Sequence, residues 1–277
     1  MQTLIAYVAA TWVALLSIFG FPPPAALDNQ TTFIIFGDSG TGSHEQKKLA
    51  GVMQKYPVDM LLHTGDIAYE NGTEEELQKN FFDVYGIILK KTPFYPTPGN
   101  HDYITNGLAP YLTRFAKDKY YSFDSAYVHF ISVDSVGVID KKMTEWLEED
   151  LRNAQGKKWT VVYFHYPPFS SGSNHGGSKE VREQLVPLFS KYGVDVVFSG
   201  HEHNYERMKP IDEVTYIVTG GGGAPLYDFG EPTDITAFRA KEYHFVYARA
   251  TSCEFTGEAI NMENRVIDTF RLSRCAK

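Results

Sequence analysis

The sequence predicts an α/β fold in which two mixed β-sheets pack together and helices cover their outer faces. In the first two thirds of the chain, short apolar runs alternate with amphipathic segments, which is the pattern of strands and helices in α/β proteins. From Val214 onward the apolar runs follow one another as strands. No linker, repeat or low-complexity tract interrupts residues 27–277, so we expect a single domain there.

Short apolar runs predict the strands, and several of these runs end at a glycine-containing turn. The segment Tyr120–Val133 alternates apolar and polar residues, as paired strands do. In chain order, strands are expected over Thr32–Phe36, Val58–Leu62, the run before Gly99, Tyr120–Val133, Thr160–Phe164, Val194–Phe198, Tyr216–Val218, Phe245–Ala250, Ala259–Met262 and Val266–Leu272.

Four segments have the residue spacing of helices. In the first of them, Leu49, Val52 and Met53 fall on one helical face, which would pack against a sheet. The four predicted helices are Glu45–Tyr56, Glu74–Phe82, Met143–Asn153 and Lys179–Tyr192.

The composition is that of an ordinary soluble domain, with 43% hydrophobic and 22% charged residues. These values exclude collagen-like, disordered and coiled-coil chains. The formal net charge is −8, and this acidic balance argues against nucleic acid as a partner, because nucleic-acid binding needs a basic face. Aromatic residues reach 14%, which suits a core rich in sheet.

The N-terminal segment predicts export. Residues 1–27 contain no Asp, Glu, Lys or Arg, and the apolar stretch Leu4–Phe21 is followed by three prolines and Ala25-Ala26. This pattern indicates a signal peptide over residues 1–26 and a secreted or extracytoplasmic protein with no stable membrane insertion after its removal. An uncleaved membrane anchor is the alternative. In an exported protein Cys253 and Cys275 would be able to pair, and two free thiols are the alternative.

Five polar clusters follow predicted strands directly. In α/β sheets the carboxyl ends of the strands border the ligand-binding crevice, and the carboxylate, phenol, amide and imidazole groups in these clusters all bind metals. Each cluster alone is more typical of a turn or a solvated surface, but their joint occurrence predicts a metal site. The clusters are Asp38, Asp66 with Tyr69, Asn100 with His101, His165, and His201 with His203.

These clusters give the chain a resemblance to the metallophosphoesterase superfamily and, more closely, to the purple acid phosphatases of the small single-domain type. The resemblance runs from about Phe33 to Tyr205. Gly40 stands where many members of the superfamily have a histidine ligand, and Tyr69 replaces that ligand. The matching blocks are Gly37–Gly40, Gly65–Tyr69, Gly99–Asp102, Val162–His165 and Gly200–His203, and the run His203–Arg207 is also similar to the family.

The resemblance implies an αββα sandwich with a binuclear metal centre, in which Asp66 bridges the two ions. Hard anionic oxygens suit Fe(III), whereas an amide and imidazoles suit a divalent ion. By this resemblance, Fe(III) is held by Asp38, Asp66, Tyr69 and His203, and a divalent Fe, Zn or Mn ion is held by Asp66, Asn100, His165 and His201.

The resemblance further implies a secreted acid phosphatase that acts on small phosphorylated substrates. A metal-bound hydroxide would attack the phosphorus of a phosphomonoester in line with the leaving alcohol. His101 is the first candidate to protonate that alcohol, and His175, in a Gly/Ser-rich loop, is the second. Asp102 stands where the family often has Glu and is expected to orient His101.

Two other functions remain open at this point. A phosphodiesterase or nucleotide pyrophosphatase would use the same metal site. A non-catalytic binding protein on this scaffold is the third hypothesis, although such proteins usually lose ligands and none of the seven is missing here. The run Gly220–Gly223 either lines the crevice or forms a plain loop, and His44, His63, His129 and His244 are expected to be structural.

Overall fold

The computed structural model describes residues 30–274 of the chain. The predicted signal peptide and Cys275 lie outside the described residues, so leader cleavage and the pairing of Cys253 with Cys275 stay predictions. Within residues 30–274, no helix is both long enough and apolar enough to cross a bilayer.

Thirteen strands in the described part of the chain form two mixed sheets. They are β1 (Thr31–Phe36), β2 (Met60–His63), β3 (Phe94–Pro96), β4 (Tyr121–Ser125), β5 (Val128–Ser132), β6 (Trp159–Tyr163), β7 (Val196–Ser199), β8 (Tyr205–Met208), β9 (Thr215–Thr219), β10 (Thr236–Ala240), β11 (His244–Ala250), β12 (Glu254–Asn261) and β13 (Val266–Ser273). The first sheet has the order β13-β12-β11-β1-β2-β3, and the second has the order β10-β8-β9-β7-β6-β5-β4.

The helices lie on the outer faces of the sheets. They are α1 (His44–Met53), α2 (Glu74–Glu76), α3 (Asp83–Leu89), α4 (Ala109–Phe115), α5 (Lys141–Asn153), α6 (Lys179–Gln184) and α7 (Val186–Tyr192), with a π-helical stretch Leu77–Phe82 between α2 and α3. Several of these helices begin at a residue whose side chain caps the first turn. Ser43 accepts a hydrogen bond at the start of α1, and Asp140 does so at the start of α5, which explains where these helices begin.

Three apolar layers hold the sandwich together. Along β1, Phe33 and Ile35 face the second sheet, whereas Ile34 and Phe36 face the helices. The rings of Phe33 and Phe130 pack in a T-shaped arrangement across the two sheets, with 5.2 Å between ring centroids. Because such strands are buried on both faces, they have continuous apolar sequences. The predicted architecture of two packed mixed sheets with outer helices is therefore confirmed.

Several element boundaries differ from the predictions for physical reasons. The predicted helix Lys179–Tyr192 is interrupted at Leu185, beside Pro187, which has no N–H to continue the helical hydrogen bonds. The strand β12 starts at Glu254, before the predicted Ala259. Its first half alternates between half-exposed polar residues and buried residues, so it lacks the continuous apolar run on which the prediction is based. The elements α3, α4, β8 and β10 have no counterpart among the predicted segments.

The topology determines where the functional groups meet. Strands β1, β2 and β3 run parallel to one another, as do β5, β6, β7 and β9 in the second sheet. Parallel strands end at the same edge of a sheet. The loops that carry the five polar clusters therefore leave the two sheets along adjacent edges.

Candidate metal centre

All seven predicted metal ligands lie together where the loops after β1, β2, β3, β6 and β7 converge. Asp66 is at the middle of this group. Its Oδ2 lies 2.8 Å from the hydroxyl oxygen of Tyr69 and 3.5 Å from Nε2 of His165. A single carboxylate oxygen therefore faces both halves of the group.

One half of the group is rich in oxygen atoms and buried. Asp38 Oδ1 lies 3.3 Å from the Tyr69 hydroxyl oxygen and 3.4 Å from Nε2 of His203. The Tyr69 oxygen is 3.1 Å from the same nitrogen. Ligand atoms of Asp38, Asp66 and His203 all lie within 4.8 Å of one another. This spacing is that of a group able to surround one cation.

The other half contains an amide and two imidazoles. Asn100 Oδ1 lies 2.9 Å from Nε2 of His165. The ring of His201 is 5.0 Å from the ring of His165, measured between centroids. The backbone N–H of His201 donates to both oxygens of Asp38, at 3.1 and 3.0 Å, and this bond joins the two halves of the group.

Hydrogen bonds on the far side of two imidazoles set which nitrogen carries the proton. Nδ1 of His165 lies 2.8 Å from the carbonyl oxygen of Thr64, and Nδ1 of His203 lies 2.8 Å from that of Pro225. A carbonyl only accepts, so each Nδ1 carries a hydrogen, and in the neutral form of each ring the lone pair of Nε2 would be directed toward the centre and available to a cation. Lone pairs of nitrogen and oxygen thus converge, an arrangement that fits a bound cation.

The electrostatics of the group fit the same conclusion. Burial and the charges of neighbouring histidines lower the pKa of His201 to about 2, so its imidazole is neutral and able to ligate. Burial and the adjacent carboxylates raise the pKa of Tyr69, so a phenolate there needs a cation beside it. Burial opposes ionisation of Asp38, but its hydrogen bond with His203 and the nearby imidazoles lower its pKa.

Three of the seven residues have an unusual backbone conformation. The φ angles of Asp38, Asp66 and His201 are 57°, 56° and 70°, in the left-handed region that costs a residue with a side chain about 1–2 kcal/mol. Such residues concentrate at functional sites, where the surrounding structure holds them. Here the N–H of Asp38 donates to the carbonyl of Gly65 at 3.0 Å.

Glycines allow the loops to come this close. A Cβ on Gly99 would lie 2.1 Å from the backbone nitrogen of Asp66, and one on Gly200 would lie 2.5 Å from Oδ2 of Asp38. Both distances are too short for any side chain. This explains why a glycine precedes the ligand in these two blocks.

Comparison with known proteins agrees with this geometry. The family model described as calcineurin-like phosphoesterase matches residues 31–205. The chain belongs to the calcineurin-like phosphoesterase family. The predicted resemblance, from about Phe33 to Tyr205, is confirmed.

Several similar curated proteins are named purple acid phosphatases, and one from Allium cepa is named phosphoenolpyruvate phosphatase. Purple acid phosphatase 3 of Arabidopsis thaliana is 26% identical over 263 residues, which cover 81% of this chain and 70% of that protein. Purple acid phosphatase 21 of the same plant is 32% identical over 218 residues, which cover 69% of this chain and 49% of that protein.

Solved structures show the shared fold. The purple acid phosphatase PPD1 from yellow lupin, Lupinus luteus, has a TM-score of 0.80 at 23% identity, covering 91% of this chain and 55% of that chain. GAP50, the anchor in the inner membrane complex of Plasmodium, has a TM-score of 0.78 at 20% identity and covers 90% of both chains. At these identities the likeness establishes the fold alone.

The two predicted catalytic histidines of this calcineurin-like phosphoesterase lie beside different halves of the predicted ligand group. The ring of His101 is 4.4 Å from the ring of Tyr69, and its Nδ1 lies 2.6 Å from the carbonyl oxygen of Glu70. The ring of His175 stacks on that of His201 at 4.0 Å, with 29° between the planes. The structure therefore brings both near the ligands, and their catalytic roles stay predictions.

The expected role of Asp102 is wrong. Its carboxylate does not orient His101 but accepts the backbone N–H groups of Asp66, Ile67 and Gly99, at 3.0, 3.0 and 2.8 Å. Burial and the charge of Asp66 raise its pKa, against the effect of these N–H groups. Neighbouring side chains on a 3₁₀ turn point about 120° apart, so His101 points outward while Asp102 points inward and joins two ligand-bearing loops.

The glycine run and the remaining histidines support the scaffold. Gly222 donates its N–H to the carbonyl of Gly37, and Ala224 donates to that of Asp38, both at 2.9 Å, so Gly220–Gly223 packs against the loop after β1. The histidines expected to be structural take no part in the ligand group. His63 is 2.9 Å from Ser39 Oγ, His129 contacts Asp124 and Asp150, His244 is 3.1 Å from Thr219 Oγ1, and His44 lies exposed at the start of α1.

Sequence reasoning missed three residues around the ligands. Tyr227 stacks on His203 with 3.9 Å between ring centroids, and the ring of Tyr166 lies 4.4 Å from that of His201. The buried Glu202 lies between His201 and His203 in the sequence. Adjacency to a predicted ligand marks Tyr166 and Glu202, whereas no local signal marks Tyr227, which comes from a distant loop.

Proposed function

We propose that this chain is a secreted acid phosphatase that hydrolyses phosphomonoesters at a binuclear metal centre. The observation that supports this most is the position of Asp66, whose Oδ2 faces Tyr69 at 2.8 Å and His165 at 3.5 Å. An oxygen atom shared between two groups of ligands is suited to two adjacent cations. The names of the relatives agree, and one from Arabidopsis thaliana is called Fe(3+)-Zn(2+) purple acid phosphatase 12.

The donor atoms support different ions in the two halves. Carboxylate and phenolate oxygens favour Fe(III), and the amide with two imidazoles favours divalent Fe, Zn or Mn. The proposed Fe(III) ligands are Asp38, Asp66, Tyr69 and His203, and the proposed ligands of the divalent ion are Asp66, Asn100, His165 and His201. When bound, the two ions offset negative charge on the phosphate oxygens and lower the pKa of a water molecule.

Histidine side chains of the protein supply the proton that the leaving group needs. Water attacks phosphorus in line with the departing alcohol, which needs a proton. Nδ1 of His101 is held by the carbonyl of Glu70, so Nε2 is the nitrogen able to deliver that proton. His175 stands beside the other half of the centre, against His201, and is the second candidate donor.

Secretion belongs to the same proposal. The apolar stretch Leu4–Phe21 and the small residues after the prolines support cleavage near Ala25 or Ala26. Expression of the full chain in a secreting host, with N-terminal sequencing of the product in the medium, tests this. A product retained in the membrane with its first residues intact would favour the anchor instead.

The activity is tested by comparing an aryl phosphomonoester with the matching diester from mildly acidic to alkaline pH. We expect faster monoester turnover on the acidic side. Faster diester turnover or a strictly alkaline optimum would favour a phosphodiesterase or pyrophosphatase. Metal analysis gives the third outcome, because fewer than about one ion per purified chain would favour a binding protein over a two-metal enzyme.

A further inference from the structure

Two buried glutamates hold the loop that carries His175. This loop, Ser170–Gly177, lies between β6 and α6 and has the sequence SSGSNHGG. Ser173, Asn174 and His175 are exposed, so buried apolar side chains do not fix this part of the loop. Its position depends on polar contacts.

The first of these contacts comes from Glu202. This residue is completely buried, and its Oε1 accepts the backbone N–H groups of His175 at 2.5 Å and Gly176 at 2.6 Å. Gly172 packs on the same carboxylate, because a Cβ there would lie 2.2 Å from its Cδ and Oε2. The loop thus folds around the carboxylate of Glu202.

The second contact holds the start of the loop. Glu206, also completely buried, accepts the N–H of Ser171 at 2.7 Å and its hydroxyl at 2.6 Å, and the hydroxyl of Ser170 at 3.1 Å. A third contact lies between them, where the N–H of Ser173 donates to the carbonyl of Asp228 at 3.0 Å. Of these contacts, only that of Glu202 is made to the backbone of His175 itself.

The placement of Glu202 connects the loop directly to the metal centre. It stands between His201 and His203, two of the proposed ligands, and the ring of His175 stacks on that of His201 at 4.0 Å. Hydrogen bonds to a carboxylate are stronger than bonds to a neutral acceptor. The side chain of Glu202 therefore holds a histidine beside the centre through hydrogen bonds to the loop backbone.

We propose that Glu202 is a positioning residue, which acts through His175 by holding its loop over the divalent half of the centre. Its effect on turnover rests on the proposed phosphatase function, with His175 as a proton donor to the leaving group. Its effect on the loop does not depend on that function.

The loop is tested first, by hydrogen–deuterium exchange and mass spectrometry on the metal-loaded full chain. Glu202→Gln keeps the size of the side chain, but its amide oxygen is a weaker acceptor and its NH₂ group takes the buried place of Oε2. We expect exchange in peptides covering residues 170–177 to become about tenfold faster. Glu231→Gln, at an exposed glutamate, is the matched control and should leave exchange unchanged.

Turnover is tested with two phosphomonoesters that differ in leaving group. An alkyl phosphate needs a proton on its leaving alcohol, whereas p-nitrophenyl phosphate leaves readily without one. In Glu202→Gln we expect kcat for the alkyl ester to fall about tenfold more than kcat for the aryl ester. In a His175→Ala background, the same substitution should cause no further selective loss, because the two residues act as one unit.

The outcomes are distinct. Unchanged exchange in residues 170–177, loss of metal from Glu202→Gln, or equal losses for both esters would overturn the proposal. If Glu202→Gln does not fold, Glu202→Asp replaces it, since the shorter arm withdraws the carboxylate from both amides while keeping its charge. A wild-type protein without phosphatase activity would end the proposed function, and the exchange measurement would still decide the role of Glu202 in the loop.

Discussion

The three hydrogen bonds of Asp102 allow a prediction with a worked magnitude. The side chain is 1% exposed, and its oxygens accept N–H groups from Asp66, Ile67 and Gly99. In Asp102→Asn one oxygen becomes an NH₂ group, so at least one of these three donors faces another donor.

The loss of stability caused by Asp102→Asn can be estimated from general values for buried hydrogen bonds. A buried donor left without an acceptor costs about 1–3 kcal/mol, and each bond that remains falls from about 1.5–3 kcal/mol with a charged acceptor to about 0.5–1.5 kcal/mol with a neutral one. Removing the charge also relieves the repulsion with Asp66 that raises the pKa of Asp102. We therefore expect the free energy of unfolding to fall by about 2–4 kcal/mol, a large part of the 5–15 kcal/mol typical of a domain.

The substitution should also affect metal retention, because the three donors belong to the segments that carry Asp66 and Asn100. Urea unfolding of the metal-free chain measures the stability, and elemental analysis after dialysis measures the retained metal. Asp118→Asn, at an exposed position, is the control and should change stability by less than about 0.5 kcal/mol. An Asp102→Asn protein as stable as this control, with its full metal content, would refute the reasoning.

Three further predictions concern other side chains. His101→Ala should lower turnover about 100-fold with metal content intact, and a loss of metal on elemental analysis would show that His101 holds the site rather than the leaving group. Tyr69→Phe should remove the visible charge-transfer band of the iron-loaded protein, whereas a band that persists would mean that Tyr69 is not a ligand. Burial opposes protonation of His129, but its hydrogen bonds with Asp150 and Asp124 outweigh it and raise the pKa. This contribution, about 2 kcal/mol, is fully present below the ordinary histidine pKa of about 6.5 and is lost as the pH rises through the raised pKa. Urea unfolding across this range should show the loss in the wild type, and a His129→Gln protein with the same pH dependence would contradict the assignment.

The ligand group was predictable because each of its loops follows an apolar strand. The apolar composition of a run such as Thr32–Phe36 is enough to predict a buried strand. The polar residue that follows the strand must then lie at the edge of the sheet. Parallel strands place the residues that follow them at the same edge of the sheet, independently of the rest of the sequence. The positions of Asp38 and Asp66 beside each other follow from this rule.

Other features depend on neighbours that are far away in the sequence. The direction of Asp102 is set by the 3₁₀ turn it shares with His101, and adjacency in the sequence does not show which side chain points inward. Tyr227 stacks on His203 from a loop that contains none of the seven predicted ligands. The strand β8 contains the polar residues Glu206 and Arg207, and it is a strand because its backbone pairs with β9 and with the more distant β10. Arg207 also pairs with Asp268 of β13, at 2.6 Å between Nε and Oδ2.

The seven ligand side chains come from both sheets, and this has a consequence for folding. Asp38, Asp66 and Asn100 follow strands of the first sheet, whereas His165 and His201 follow strands of the second. At the opposite ends of these strands, hydrogen bonds join the sheets, for example from Thr31 Oγ1 to the carbonyl of Ser125 at 3.0 Å.

A cation held by this group therefore connects the two sheets, and its binding energy adds to the stability of their interface. By mass action, each tenfold rise in free ion above the dissociation constant adds about 1.4 kcal/mol per ion to the free energy of unfolding. If this group binds metal as proposed, folding and metal loading are coupled equilibria. A chelator should lower the melting temperature, and separation of the sheets should begin at the ligand-bearing edge.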